Sequence, residues 1–261
     1  MVNLAANLSM MFNEVDFMDR FKEASNQGFR SVEYLFPYDF SKDNILNELK
    51  ENNLDQILFD LPAGDWDSGD RGLAADPNRI NEFEDGVGLA IEFANSIKPI
   101  NLTCLVGKVP SGVSDTEAQD TLIKNLTFAA HKLDEHGFQL LVEPINTVDI
   151  PGYWLSSTNK ALEIIGSVNH SNIKLQYDIY HMQIMEGDIL RTFENNKSQI
   201  GHIQIADNPG RNEPGTGELN YSNIFSFLDK NYDGWIGCEY NPKKSTDDSL
   251  SWMKNIGEKS G

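Results

Sequence analysis

Short apolar runs bounded by Gly, Pro or Asn alternate along this chain with longer segments of helical period. Eight such pairs can be counted. The strand-like runs are 3–10, 31–36, 56–61, 100–106, 139–144, 174–180, 202–206 and 235–240. Each precedes a helix-like segment, at 17–26, 44–52, 80–97, 116–135, 159–168, 189–195, 221–229 and 248–256. Gly28 and Gly137 each close a helical run and are followed at once by an apolar strand, as left-handed C-terminal caps require. Eight βα units in one chain of this length predict a single α/β domain over 1–261, a closed (β/α)8 barrel of the TIM type. The competing doubly wound sheet carries a glycine-rich phosphate turn after its first strand, where this chain reads MFNEVD.

Two connections are long, polar and rich in glycine: PAGDWDSGDRGLAADPNR after the third strand and DNPGRNEPGTGELN after the seventh. In a βα barrel both lie on the catalytic face, as lids and binding walls. The GTG within the second lacks the Lys and Ser or Thr that would make a phosphate loop.

Charge narrows the classes of partner. Against 21 Lys and Arg stand 40 Asp and Glu, a net charge of −19, which opposes nucleic-acid backbones and anionic membranes. The first residues show no basic region of a signal peptide, and no apolar run approaches the roughly 18 residues of a spanning helix. A cytoplasmic protein is expected. Its two cysteines, Cys104 and Cys238, are too few for a disulfide framework and are expected to be reduced and buried.

Four consecutive strands carry a polar residue near the carboxyl end: Glu143 in QLLVEPIN, Asp178 in KLQYDIY, Gln204 in GHIQIAD and Glu239 in WIGCEYNP. Alternation places Val142 and Pro144 opposite Glu143, and Cys238 and Tyr240 opposite Glu239, so the four polar groups converge in the barrel mouth. Three carboxylates confined together raise one another's pKa, and a divalent cation relieves that repulsion. An all-oxygen set suits Mg²⁺ or Mn²⁺ better than Zn²⁺. His181 and His202 lie beside two of these positions, whereas His131, His136 and His170 read as surface residues.

At these residues the chain resembles the hydroxypyruvate isomerases, within the xylose isomerase-like TIM barrels. The resemblance rests on ANLSMMF at 6–12, VEYLFPYD at 32–39, LPAGDWDSGDRGLAADP at 61–77, LVEPIN at 141–146, YDIYHMQ at 177–183, HIQIADNPGRNEPGTGELNY at 202–221 and EYNP at 239–242. It implies a metal-assisted interconversion of hydroxypyruvate and 2-hydroxy-3-oxopropanoate, with Glu143 and Glu239 handling the proton. It also implies that His181 and Arg211 touch the substrate. The wider sugar epimerase and isomerase group carries Glu, Asp, His and Glu at the four strand ends, and this chain has Gln204 at the third. The 2-oxo-tetronate isomerases share most of these motifs, so a four-carbon acid is the alternative substrate.

Such a substrate is an anion entering a site that already holds three carboxylates, so a cation must grip it. Arg71 and Arg211, in the two long loops, are the first candidates because a guanidinium holds a carboxylate through paired hydrogen bonds, and Lys108 is the next. Phe12, Phe36, Tyr38 and Trp66 lie on the same face and are candidates for the pocket wall. An apurinic endonuclease of the same barrel group would need more metal ligands and a basic face, which five histidines and the acidic charge oppose. A non-catalytic sugar-acid binding protein would not need the two glutamates. A homo-oligomer is left open.

Overall fold

The computed structural model describes residues 2–255, and in it the eight strands hydrogen-bond in chain order and close on themselves, β1 pairing in parallel with both β2 and β8. The elements run β1 (Asn3–Asn7), α1 (Phe17–Asn26), β2 (Ser31–Glu33), α2 (Lys42–Glu51), β3 (Asp55–Asp60), α3 (Ile80–Ile97), β4 (Asn101–Cys104) and α4 (Asp115–Asp134). They continue with β5 (Gln139–Val142), α5 (Thr158–Val168), β6 (Ile173–Asp178), α6 (Ile179–Met185), α7 (Ile189–Asn196), β7 (Ile200–Ile205), α8 (Tyr221–Asn231), β8 (Trp235–Cys238) and α9 (Thr246–Ser249). This is the predicted closed barrel, and closure leaves none of the eight strands with an unpaired edge.

Helices cover the barrel with the faces their periodicity dictates. Helix α3, for example, buries Phe83, Val87, Ala90, Ile91, Phe93, Ala94 and Ile97. Ser114 caps α4 by accepting the Glu117 N–H at 3.2 Å. Gly28 and Gly137 adopt the positive φ that the predicted helix stops require, +90° and +78°.

Ala5, Ile57, Leu58 and Leu141 form a small apolar cluster separate from the main core. Toward the carboxyl ends the interior turns polar. Thr103 on β4 donates to Gln176 Oε1 across the barrel at 2.5 Å, Gln176 Nε2 donates to Gln204 Oε1 at 2.6 Å, and Gln204 Nε2 donates to Glu33 Oε1 at 2.8 Å.

The structure corrects several predicted boundaries. Most strands end earlier than expected, because the last residues of the apolar runs leave the ladder and carry their side chains into the mouth; Glu143 and Glu239 are among them. The predicted strand 174–180 stops at Asp178, whose Oδ1 accepts the Tyr180 N–H at 2.7 Å and starts α6. The predicted helix 248–256 is a single turn of α9, capped by Ser245, followed by a 3-10 turn over Leu250–Asn255. Its predicted last residue, Ile256, lies outside the described residues, as do residue 1 and residues 257–261 of the predicted domain. Cys104 and Cys238 are free and buried, as expected.

Candidate active site

The strand ends bring Glu143, Asp178 and Glu239 together, and α6 adds His181. One ligand atom from each of the four lies within 4.8 Å of every other, and all four residues are buried. Glu143 Oε1 and Asp178 Oδ2 have no hydrogen-bond partner although both are out of contact with solvent. Two such carboxylate oxygens, aimed into one space, are an arrangement that a cation or a substrate hydrogen completes.

Burial, with the neighbouring charges of Glu239, Asp178 and Asp60, holds the Glu143 carboxyl well above its ordinary range. Glu239 is likewise raised by burial, with Asp178 and Glu33 adding to the shift against the opposing pull of Arg211. Asp178 is raised by burial, although Arg211 and the Tyr180 N–H pull the other way. Each carboxyl therefore favours its neutral form more than a solvated one would. His181 is driven toward the neutral imidazole by burial and by Arg211.

Arg211 reaches the cluster from the loop after β7. Its Nη2 binds Glu239 Oε2 directly and lies 3.7 Å from Asp178 Oδ2, and its guanidinium sits 5.4 Å from the centre of the Tyr180 ring. Its backbone adopts φ +53°, a left-handed conformation unfavourable for a residue with a Cβ, and its carbonyl accepts the Asn241 N–H at 2.8 Å. The rest of the loop hangs on Asp207, a fully buried carboxylate that accepts the N–H groups of Asn208, Gly215, Gly217 and Leu219 at 2.8–3.1 Å.

The other sequence candidates are placed differently. Gln204 sits within the interior chain of amides, its oxygen accepting from Gln176 and its nitrogen donating to Glu33. Arg71 lies over the Trp66 ring at 4.1 Å and donates to the carbonyls of Trp66 and Asp70, within its own loop. Lys108 is exposed. Trp66 and Phe36 pack at 5.1 Å beside Tyr38 on a cleft of about 390 Å³, whereas Phe12 is buried and packs edge-on against Phe29.

Several residues at this site were not singled out from the sequence. Glu33 is buried at the barrel axis, where it accepts from Asn7 Nδ2 at 3.0 Å and from Gln204, and meets His202 Nε2 at 2.7 Å. A carboxylate inside the apolar run VEYLF was the available signal. Asp60 ends β3 and is raised well above its ordinary range by burial, Glu239 and Glu33. Asn146, three residues beyond Glu143, contacts His181.

Comparison with known proteins shows which family has this fold. The family model described as xylose isomerase-like TIM barrel matches residues 21–256. The chain is 48% identical to the hydroxypyruvate isomerase of Escherichia coli strain K12, over 97% of this chain and 98% of that one. It is 44% identical to the 2-oxo-tetronate isomerase of Cupriavidus necator, again over 97% and 98%. A solved structure from Brucella melitensis, named as an AP endonuclease of family 2, is 45% identical, superposes with a TM-score of 0.95 and is covered to 98% by 97% of this chain.

Proposed function

The chain belongs to the xylose isomerase-like TIM barrel family and is an isomerase, and from that premise we propose that it interconverts hydroxypyruvate and 2-hydroxy-3-oxopropanoate through an enediolate, with Glu143 and Glu239 taking the proton from one carbon and supplying one to the next. The observation that carries this reading is the pair of buried glutamates, both raised in pKa, brought from β5 and β8 to one mouth. Isomerisation requires a base to take the proton from the hydroxyl-bearing carbon and an acid to return one to its neighbour. A carboxyl group whose pKa is raised toward neutrality serves in either role.

The donor set suits a divalent cation, because the two unpartnered carboxylate oxygens of Glu143 and Asp178 face the same space. Glu143, Asp178 and Glu239 would hold it, and the Gln204 amide oxygen, which accepts from Gln176, would have to share or leave that bond to serve as a fourth donor. A bound Mg²⁺ or Mn²⁺ supplies charge stabilisation to the oxygens of the enediolate. The chain's own cation for the substrate carboxylate is Arg211, whose Nε is buried and has no hydrogen-bond partner while its Nη2 is held by Glu239. Arg71 would have to leave its own loop's carbonyls to help.

A nuclease reading, raised by the name of the Brucella structure, is disfavoured. Among the described residues the cluster offers one histidine and three acids, and the chain's charge of −19 repels a phosphate backbone. The four-carbon 2-oxo-tetronate reaction is chemically the same and is separated by a substrate panel.

The test is turnover of hydroxypyruvate and of 2-oxo-tetronate by the wild type and by the Glu143→Gln and Glu239→Gln variants. Each substitution keeps the shape and removes the proton, so kcat should fall by roughly 10²-fold or more. Product made in D₂O should carry deuterium on carbon. Near-normal turnover in both variants would refute the two-glutamate mechanism.

A further inference from the structure

We infer that Asn146 is a positioning residue that keeps the ring proton of His181 on Nε2, so that His181 serves the site as a hydrogen-bond donor and not as a metal ligand. The role assigned to the donor rests on the isomerase reading above; the placement of the proton does not.

The argument starts from the orientation of one amide. Asn146 is fully buried. Its Oδ1 accepts the backbone N–H groups of Val148 at 3.0 Å and of Asp149 at 2.8 Å. Those two bonds use both lone pairs of the oxygen, and reversing the amide would set its N–H groups against two backbone donors. The Nδ2 group therefore faces the other way. One of its hydrogens goes to Asp149 Oδ2 at 3.0 Å, and the other meets His181 Nδ1 at 2.6 Å. Asp149 is itself engaged, since the same oxygen accepts the Tyr180 hydroxyl at 2.8 Å.

A nitrogen that accepts a hydrogen bond carries a lone pair, so Nδ1 of His181 is unprotonated and the neutral ring holds its proton on Nε2. Nε2 points into the mouth, 3.5 Å from Asp178 Oδ2 and 3.7 Å from Glu143 Oε1. Both are longer than a good charge-assisted hydrogen bond, and neither oxygen has a hydrogen-bond partner. An N–H held there by a rigid amide is placed to donate to a substrate oxygen as charge develops on it. The same proton excludes Nε2 from coordinating a cation, although the position alone would allow it. The fixed tautomer separates the four converging residues into three oxygen ligands and one donor.

The test is the ¹⁵N spectrum of the His181 ring, assigned against His181→Gln, in metal-free protein and in protein saturated with Mg²⁺. The expected result is a protonated Nε2 and a lone pair on Nδ1 in both. A proton on Nδ1 in the wild type, or loss of the Nε2 proton on adding Mg²⁺, would overturn the inference. The Asn146→Asp variant keeps an acceptor for the Val148 and Asp149 N–H groups but turns an acceptor toward His181 Nδ1, so the proton of the neutral ring should move from Nε2 to Nδ1. With hydroxypyruvate, kcat should then drop by about 10²-fold, the loss typical of one well-aimed donor, while KM changes by less than about threefold. Full kcat in a variant with Nδ1 protonated and Nε2 bare would overturn the donor role while leaving the isomerase intact. Absence of isomerase activity in a wild type with the expected tautomer would instead refute only the reading of the reaction. If Asn146→Asp fails to fold, the wild-type spectrum still decides the placement.

Discussion

In the proposed reaction, Arg211 is the residue that would make the acidic mouth tolerable to an anion. Burial alone would lower its pKa, but Glu239, Asp178 and Glu143 more than offset that and keep the guanidinium charged. Arg211→Ala should raise KM for the substrate acid and lower kcat together, because the same side chain holds Glu239 in place; steady-state kinetics on the variant check both. Arg71→Ala should change either constant by less than about threefold, since its guanidinium is already occupied by Trp66 and two carbonyls of its own loop. An equal loss in both variants would mean that the 62–79 loop carries Arg71 to the substrate. These two arginines could not be ranked from the sequence, where each is one basic residue in a glycine-rich loop. The strand-end acids were legible because they interrupt apolar runs at intervals of one βα unit. Glu33 and Asn146 were not, because the value of each depends on partners 171 and 35 residues away, Gln204 and His181.

At the scale of elements, eight strands could be read from alternation, but where each strand ends could not. The run YDIYHM is apolar at both helical and strand spacing, and only the cap that Asp178 places on Tyr180 turns it into α6 and brings His181 to the mouth. The 62–79 loop meets the segment after β4 at a close approach of two glycines, Gly72 and Gly107. A Cβ on Gly72 would lie 2.2 Å from the Leu105 carbonyl oxygen, and one on Gly107 would lie 2.2 Å from that of Gly72. Both have positive φ, +125° and +90°. Gly72→Ala should therefore destabilise the protein by about 1–3 kcal/mol from backbone strain, with the overlap adding to that. Chemical denaturation measures the loss. Gly28→Ala is the control, with positive φ but open space around the added carbon, and it should cost less.

At the scale of the whole molecule, the barrel holds Asp60, Glu143, Asp178 and Glu239 in a buried space, and every one of the four has its pKa raised, with burial as the largest cause. A carboxyl raised in the folded state favours folding below its unfolded pKa, near 4, and that advantage is lost as pH rises through the folded value. These groups should make the metal-free protein less stable as pH climbs from mildly acidic to mildly alkaline. A divalent cation held there would bind the ionised carboxylates, so its stabilisation should run the opposite way and grow over the same range. At a Mg²⁺ concentration about 100-fold above its Kd the added stability is about 2.7 kcal/mol, which for a chain of this size is a rise in Tm of roughly 5 °C or more. Thermal denaturation with EDTA and with Mg²⁺, at about pH 5.5 and about pH 8, checks this: the Mg²⁺-dependent rise should be larger at the higher pH. Glu143→Gln should shrink the rise and flatten its pH dependence, because it removes a raised carboxyl and an ionisable ligand at once. A rise that is equal at both pH values would show that the cation is not held by carboxylates whose charge the barrel interior disfavours.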